Sequence, residues 1–167
     1  MSRRRAAIGS ALFLLAAPGT VAGLVPWLLT GWEARSWPWP LRAAGGLLLA
    51  ASVAALLSAF ARFVREGIGT PAPAAPTQRL VVGGLYRHVR NPMYVAVVGA
   101  VLGQALLLGR PVLLAYALAL WAVFATFVRA YEEPVLLRTY GEDYERFRAA
   151  VPAWLPRLRP WRGGLSP

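Results

Sequence analysis

Two short polar stretches carry the side chains of this chain that are suited to chemistry. The first is a basic, aromatic and glycine-rich stretch at residues 83–94, GGLYRHVRNPMY. The second is Glu132-Glu133-Pro134, which follows the next hydrophobic part of the chain. About two membrane spans separate the stretches, and a span and its return bring both to one face of a bilayer. A pocket at that place contacts water and lipid together, which suits a reaction between a soluble cofactor and a lipid-embedded substrate.

The end of the first stretch predicts an anion site at the start of a helix. Asn is a strong N-cap residue and Pro fits the first helical position, so Asn91 and Pro92 predict a helix start. The free N–H groups of a helix start carry partial positive charge. Arg87 and Arg90 add full charges beside it. We therefore expect an anionic group, such as a carboxylate, to bind there.

The remaining side chains of this stretch are aromatic or polar. Tyr86 and Tyr94 offer aromatic faces and hydroxyl groups to a ligand. His88 is the single histidine of the chain, and we interpret it as a hydrogen-bonding loop residue rather than a catalytic base.

The acidic pair, Glu132 and Glu133, lies at the end of a predicted span. Carboxylates at such a depth are costly unless they are paired or functional. They are expected either to pair with Arg129 or a loop arginine, or to bind an ammonium or sulfonium group. Pro134 predicts that the chain takes a new direction there. S-adenosylmethionine carries a carboxylate, an ammonium and a sulfonium group, so it matches the two polar stretches together.

Composition indicates an integral membrane protein with one domain, residues 1–167. Of the 167 residues 57% are hydrophobic, and the mean hydropathy is +0.49. Cysteine is absent and histidine occurs once, which excludes disulfides, thiolate metal ligands and a site of several histidines, so no metal is predicted. The net charge of +11 is attributed to flanks that face anionic membrane lipid, because the arginines adjoin apolar runs; no nucleic-acid partner is predicted.

Uncharged runs predict an all-α fold with about four transmembrane helices and a cytoplasmic amphipathic C-terminal helix. Arg110 alone separates the last two spans, which predicts adjacent antiparallel helices. The motif Gly99-x-x-x-Gly103 predicts a close helix contact, within the chain or between chains. The predicted spans cover residues 6–29, 43–61, 92–109 and 111–128, with a cytoplasmic cofactor loop at 65–91 and a cytoplasmic C-terminal segment at 132–167.

The arginines orient these spans. Of the 18 basic residues, all arginine, three lie on one predicted side (Arg35, Arg42 and Arg110) and the other fifteen on the opposite side. This bias predicts that both termini are cytoplasmic, and the Arg- and Ala-rich composition indicates a bacterial inner membrane. Arg3, Arg4 and Arg5 before an apolar run also resemble a cleaved export signal, although the run continues to Leu29.

The C-terminal segment predicts an amphipathic helix that is interrupted near Gly141. Such a helix would lie on the membrane surface and form a wall of the pocket. Its apolar positions recur near helical spacing: Leu136, Leu137, Tyr140, Tyr144, Phe147 and Val151.

These motifs resemble the isoprenylcysteine carboxyl methyltransferase and phospholipid methyltransferase superfamily of integral membrane enzymes. The resemblance covers roughly residues 67–156. GIGTPAP at 67–73 and LVVGGLYRHVRNPMY at 80–94 are similar to the family's first cofactor motif, and EEPVLLRTYGEDYERFRAAVP at 132–152 is similar to its second. Eukaryotic members commonly carry His at the position of Asn91, whereas bacterial relatives often carry Asn.

The resemblance implies that S-adenosylmethionine binds at the cytoplasmic side, between the third and fourth spans and the C-terminal segment. The acceptor would be lipophilic and enter from the bilayer, and a carboxylate is preferred over a phospholipid amine because it is already ionised. Catalytic roles are unassigned among Glu133, Arg90 and His88. The implied cofactor-binding residues are Tyr86, Arg87, His88, Val89, Arg90, Asn91, Pro92, Tyr94, Glu132 and Glu133.

The alternatives at this point are a phospholipid amine N-methyltransferase and a non-catalytic four-helix membrane protein. In the second, the polar stretches would be structural caps, and Glu133→Gln and Asn91→Ala would be tolerated. The acceptor and the oligomeric state stay open.

Overall fold

The computed structural model describes residues 16–66 and 80–163, without the side chains of residues 63–66. The regular structure in these ranges is helical, as predicted, and no strand occurs in them. Three parts of the sequence predictions fall outside these residues: the start of the first span with Arg3, Arg4 and Arg5, the Pro-rich part of the cofactor loop at 67–79, and residues 164–167.

Six helices and one short 3-10 turn make up the described part. Two helices are long and apolar enough to cross a membrane, Trp39–Arg62 and the continuous helix Pro111–Tyr140. The predicted number of four spans stays a prediction, because the other two apolar helices are shorter. The helices are α1 (Ala16–Thr30), α2 (Trp39–Glu66), α3 (Pro92–Leu108), α4 (Pro111–Phe127), α5 (Glu133–Tyr140) and α6 (Glu142–Ala150), and the 3-10 turn is Gly84–Arg87.

Helices α3 and α4 form the predicted antiparallel hairpin. Each begins with a proline at its first turn, where the missing N–H costs nothing. Gly109 ends α3 at a φ of 64°, a left-handed conformation that glycine adopts without strain. Arg110 then leads directly into α4. Its guanidinium donates to the Thr30 carbonyl at 2.9 Å and to the Glu33 carbonyl at 3.0 Å, which fixes the loop after α1 over this turn.

The closest helix contact joins α2 to α3 through small residues. A Cβ added at Gly103 would lie 2.6 Å from the backbone nitrogen of Leu49, and one at Gly99 would lie 2.5 Å from Ser52 Oγ. A side chain at either position would push the two backbones apart. The motif Gly99-x-x-x-Gly103 therefore makes its contact within the chain, which resolves the choice that the sequence left open.

Helix α1 contains one widened (π) turn, Thr20–Leu24, just before Pro26. Proline has no N–H, so the carbonyl of Ala22, four residues earlier, loses its helical partner. The N–H that follows the widened turn donates five residues back, to its first residue, so the carbonyl of Val21 is released as well.

Side chains of the neighbouring helices donate hydrogen bonds to these two carbonyls. Gln104 Nε2 of α3 donates to Ala22 O at 2.7 Å, and Tyr116 Oη of α4 donates to Val21 O at 2.8 Å. Backbone groups in hydrocarbon must find partners within the protein. The released carbonyls therefore attach α1 to the α3–α4 hairpin.

A second widened turn, Val128–Glu132, precedes Pro134 and joins α4 to α5. The prediction that Pro134 redirects the chain is wrong, because the helix continues through it to Tyr140. The widened turn accommodates the proline because its N–H groups donate to the carbonyl five residues back instead of four. One extra residue in a turn rotates the following helix face by about 100°.

The C-terminal helices form a second core, as the sequence predicts. Gly141, at a φ of 52°, separates α5 from α6. Behind it Tyr144, Phe147 and Val151 are buried. The partly buried side chains packed against them include the predicted apolar positions Leu136, Leu137 and Tyr140, together with Leu80, Val82, Tyr86, Ala150 and Trp161.

The α2–α3 contact predicts unequal costs for two similar substitutions. Gly103→Ala places a Cβ against the Leu49 backbone and is expected to lower the free energy of unfolding by about 1–3 kcal/mol. Gly46→Ala is the matched control, because its Cβ would meet only the Leu107 side chain, at 3.8 Å. Both gain the same helix propensity. Thermal unfolding of the detergent-solubilised variants measures the difference, and equal melting temperatures would contradict the close packing.

Candidate functional site

The two polar stretches meet at one end of the α3–α4 hairpin. We call residues 83–91, which lead into α3, the basic loop, and Glu132 with Glu133 the acidic pair. The buried side chain of Val89 holds the basic loop in the protein. The two stretches therefore form one cluster, as the predicted span pair requires.

An arginine–glutamate ion pair lies at the centre of this cluster. Arg90 Nη1 donates to Glu133 Oε1 at 2.8 Å, and each side chain is only 12% exposed. Tyr144 of α6 lies 3.2 Å from the same nitrogen through its hydroxyl oxygen, and Arg148 approaches the second Glu133 oxygen at 3.6 Å. Two positive groups thus share the Glu133 carboxylate.

Glu132 is held by a different residue of α3. Tyr94 Oη donates to Glu132 Oε1 at 2.6 Å. The Tyr94 ring packs on Phe124 of α4, with ring centroids 4.6 Å apart. The acidic pair therefore contacts Arg90, two residues before α3, and Tyr94 in the first turn of α3.

Asn91 and Pro92 start α3 where the sequence predicts, but the Asn91 side chain does not cap the helix. Instead Asn91 Nδ2 donates to the carbonyl of Ala153 at 3.2 Å. No side chain in the described part of the chain caps the first turn of α3. Its N–H groups are the donors that helices offer to anions.

A tail segment, residues 152–161, runs along the basic loop and holds it through the backbone. Arg90 N donates to Pro152 O at 2.9 Å, and Trp161 N donates to Arg87 O at 2.9 Å. Between these bonds His88 and Arg157 pair twice.

The first His88–Arg157 bond runs from Arg157 N to His88 O at 3.0 Å. The second joins His88 Nδ1 to Arg157 O at 2.7 Å, which makes Nδ1 the protonated nitrogen because a carbonyl only accepts. His88 is thus a hydrogen-bonding loop residue, as the sequence analysis interprets it.

The structure brings together only some of the implied cofactor residues. Arg90, Tyr94, Glu132 and Glu133 form the cluster, and Tyr86 is near enough to Tyr94 to act on it electrostatically. Arg87 is exposed, and its carbonyl accepts a hydrogen bond from the tail segment. The side chains of Tyr86, Val89 and His88 pack into the protein or bond to the tail segment.

Sequence reasoning did not predict three contacts of the cluster: the Tyr144 hydroxyl with Arg90, Arg148 with Glu133, and the backbone bonds of the tail segment to the basic loop. Tyr144 was predicted as an apolar position of the amphipathic helix, within the stretch that resembles the family's second cofactor motif. Its hydroxyl on a buried face was the available signal, since a buried hydroxyl needs a partner. The tail segment acts through backbone groups, which leave no such signal.

Burial shapes the electrostatics of the cluster. It raises the pKa of Tyr144 above its ordinary value, while neighbouring Arg90 lowers that pKa and Glu133 raises it. Tyr144 therefore stays protonated at neutral pH. Within the described residues, Arg90 Nε is a buried donor without a hydrogen-bond partner. Such a donor is costly unless a ligand or water pairs with it.

The central ion pair predicts a large loss of stability when one partner is removed. Arg90→Met leaves the buried Glu133 carboxylate with only the distant Arg148, and is expected to cost about 3 kcal/mol. Arg146→Met removes a half-exposed partner of Asp143 and is expected to cost about 0–1 kcal/mol. Thermal unfolding followed by circular dichroism compares the two variants, and a cost for Arg90→Met as small as that of the control would count against the buried pair.

Comparison with known proteins agrees with this arrangement. The profile of the phospholipid methyltransferase family matches residues 41–143, more than half of the chain. The chain is 38% identical over 80 residues to a protein-S-isoprenylcysteine O-methyltransferase of Schizosaccharomyces pombe, covering 47% of this chain and 34% of that protein. It is 33% identical over 85 residues to the Homo sapiens protein of the same name, covering 50% and 29%.

The Rattus norvegicus protein of that name is 33% identical over 91 residues, which cover 53% of this chain and 31% of that protein. The chain thus spans about a third of the length of these curated relatives. No solved structure is significantly similar to it. Since the family profile spans α2 through α5, including the basic loop and the acidic pair, the chain belongs to the phospholipid methyltransferase family.

Proposed function

We propose that this chain is an S-adenosylmethionine-dependent membrane methyltransferase that acts on the carboxylate of a lipophilic acceptor. The contact of Arg90 with Glu133, beside that of Tyr94 with Glu132, carries this proposal. It joins the two stretches that resemble the family's cofactor motifs. It also places them where two apolar helices end, within reach of both water and lipid.

The donors of the cluster fit the carboxylate of such a cofactor. The partnerless Arg90 Nε and the uncapped first turn of α3 both offer N–H groups. A guanidinium binds carboxylates strongly because its hydrogen bonds are charge-assisted. Of the acidic pair, Glu132 fits the cationic part, because its partner Tyr94 is uncharged and a carboxylate attracts ammonium and sulfonium groups. The residues present therefore match the charges of S-adenosylmethionine.

Bound S-adenosylmethionine supplies a methyl group on a positively charged sulfur that a nucleophile can attack. The chain contributes binding and alignment. Glu133 and Tyr144 hold the Arg90 guanidinium, while Tyr94 orients the Glu132 carboxylate. Alignment of two reactants can supply on the order of 7–11 kcal/mol of the barrier. His88 Nδ1 is hydrogen-bonded to the Arg157 carbonyl, so His88 stabilises the basic loop.

A carboxylate acceptor suits this cluster better than an amine acceptor. An amine must lose a proton, which requires a base that is available near it. Glu133 is held by two arginines and Glu132 by Tyr94, so both carboxylates already have partners. A carboxylate acceptor is ionised at neutral pH and needs no base. The names of the relatives, isoprenylcysteine O-methyltransferases, support the same class of acceptor.

N-methylation of a phospholipid amine is the second candidate, because the matching family is described as phospholipid methyltransferase. The difference lies in the acceptor and in the need for a base.

The membrane arrangement follows from the same proposal. The four predicted spans, with both termini in the cytoplasm of a bacterium, place the basic loop, the acidic pair and the C-terminal segment at the inner face of the inner membrane. Soluble cofactor then reaches the cluster from the cytoplasm, and the acceptor enters from the bilayer. The fifteen-to-three distribution of the 18 basic residues supports this orientation.

Cofactor binding tests the proposal. Isothermal titration calorimetry of the detergent-solubilised chain with S-adenosylmethionine is expected to show saturable binding. Glu133→Gln, which releases Arg90, is expected to weaken binding about tenfold or more. Glu145→Gln is the matched control, because Glu145 is an exposed residue of α6 outside the cluster.

Circular dichroism checks that each variant is folded. A folded chain without binding would support the non-catalytic alternative. Equal binding by Glu133→Gln and Glu145→Gln would remove the acidic pair from the site.

The acceptor class is tested by the chemistry of the product. The chain in vesicles is incubated with methyl-labelled S-adenosylmethionine and an amine-blocked S-farnesylcysteine. A carboxyl methyl ester releases labelled methanol in mild base, whereas an N-methyl group does not. Base-labile label is expected. Base-stable label in phosphatidylethanolamine, from parallel vesicles without farnesylcysteine, would instead establish the amine acceptor.

A further inference from the structure

The tail segment carries two leucines that stand out from the protein. It starts beside Val151, which is buried, and ends at Trp161, whose ring lies 5.5 Å from that of Phe147. Between these anchors Leu155 is 81% exposed and Leu158 is 96% exposed. Both ends of the segment are thus fixed to the protein, while its middle presents apolar side chains outward.

The same segment reaches the apolar face of a membrane helix. The Trp154 ring lies 6.1 Å from that of Trp121 in α4, in an edge-on arrangement. Trp121 precedes Phe127, the last residue of α4, by about 9 Å along the helix axis at 1.5 Å per residue. Leu114 and Leu118 continue its exposed face, at the spacing of one helix side. The tail segment therefore extends alongside the exposed apolar face of α4.

The charges of the tail segment are of one sign. Residues 151–163 contain three arginines and no acidic residue. The Arg157 guanidinium donates to the Ala150 carbonyl at the end of α6, at 2.6 Å. Arg159 and Arg162 are exposed. Exposed leucines and a tryptophan beside arginines are the composition of segments that insert into an anionic membrane surface.

We propose that residues 154–159 insert into the headgroup region of the membrane in which the chain lies. Leu155 and Leu158 enter the acyl chains, where their exposed surface leaves water. Arg159 and Arg162 bind the phosphate groups of anionic phospholipids. Because His88 and Arg90 bond to the same segment through their backbones, this insertion fixes the basic loop at the membrane surface.

The absence of cysteine from the chain allows a direct test with a single spin label. Leu158→Cys is labelled in the full chain, reconstituted in nanodiscs of phosphatidylcholine with phosphatidylglycerol. Leu118→Cys, on the exposed face of α4, is the lipid reference, and Glu145→Cys, on α6, is the water reference. Power-saturation electron paramagnetic resonance then compares access of oxygen and of a water-soluble nickel complex. The label at 158 is expected to favour oxygen, as at 118.

Lipid charge separates apolar insertion from phosphate binding. In nanodiscs of phosphatidylcholine alone, the ratio of inserted to free label at 158 is expected to fall. The combined variant Arg159→Gln and Arg162→Gln is expected to lower that ratio in anionic nanodiscs, about fivefold per arginine. Circular dichroism checks the fold, and neither arginine belongs to the cluster around Arg90.

Three outcomes would overturn the proposal. A label at 158 that is as accessible to the nickel complex as one at 145 places the segment in water. A dipolar coupling between the 158 labels of two copies means that a second copy covers the leucines. A ratio of inserted to free label that changes neither with lipid charge nor in the arginine variant rules out phosphate binding.

Discussion

The buried ion pair between Arg90 and Glu133 is the contact on which the candidate site depends. Taking both charges out of water is costly, and only close geometry with further hydrogen bonds offsets the cost. The partners are 43 residues apart in sequence. They meet because α3 and α4 have 17 residues each and a turn of two residues. The antiparallel hairpin brings the residues before α3 and those after α4 to the same end, where the basic loop and the acidic pair meet.

Two prolines outside this hairpin, one in α1 and one in α5, are accommodated in the same way with different results. Pro26 and Pro134 each follow a widened turn, and each lacks the N–H that the helix would use. In α1 the released carbonyls become the attachment points of Gln104 and Tyr116.

After α4 the widened turn ends at Glu132, and Glu133 follows it directly as the first residue of α5. Residues of a regular helix that follow one another diverge by about 100°. The changed bonding pattern lets Glu132 and Glu133 reach Tyr94 and Arg90, which both lie at the start of α3. Widened turns often occur at functional sites for this reason.

Local sequence signals predicted the helix ends but not the partners of the polar side chains. Pro92 starts α3, Gly141 interrupts the C-terminal helix, and the periodic apolar residues ending in Val151 form its core, all as expected. Each of these rests on neighbours within a few residues. Pairing with an arginine was one of two expectations for the acidic pair, and nothing local selects Arg90 over Arg129.

The same limit explains the errors. Asn91 is a residue type that favours helix caps, but its side-chain amide donates to the nearby Ala153 carbonyl instead. Pro134 is a residue type that commonly ends helices, but the widened turn before it allows the helix to continue to Tyr140. In both places a contact or a bonding pattern that depends on the folded structure overrides a local preference.

The limits of the family match also follow from this physics. The profile ends at residue 143, yet Tyr144 contacts Arg90 and the tail segment bonds to His88 and Arg90. Three of the tail contacts join backbone to backbone, so almost any side chain is compatible with them. Sequence comparison detects side-chain identity and is insensitive to such contacts. A segment can therefore position a site while lying outside the part of the chain that the family profile matches.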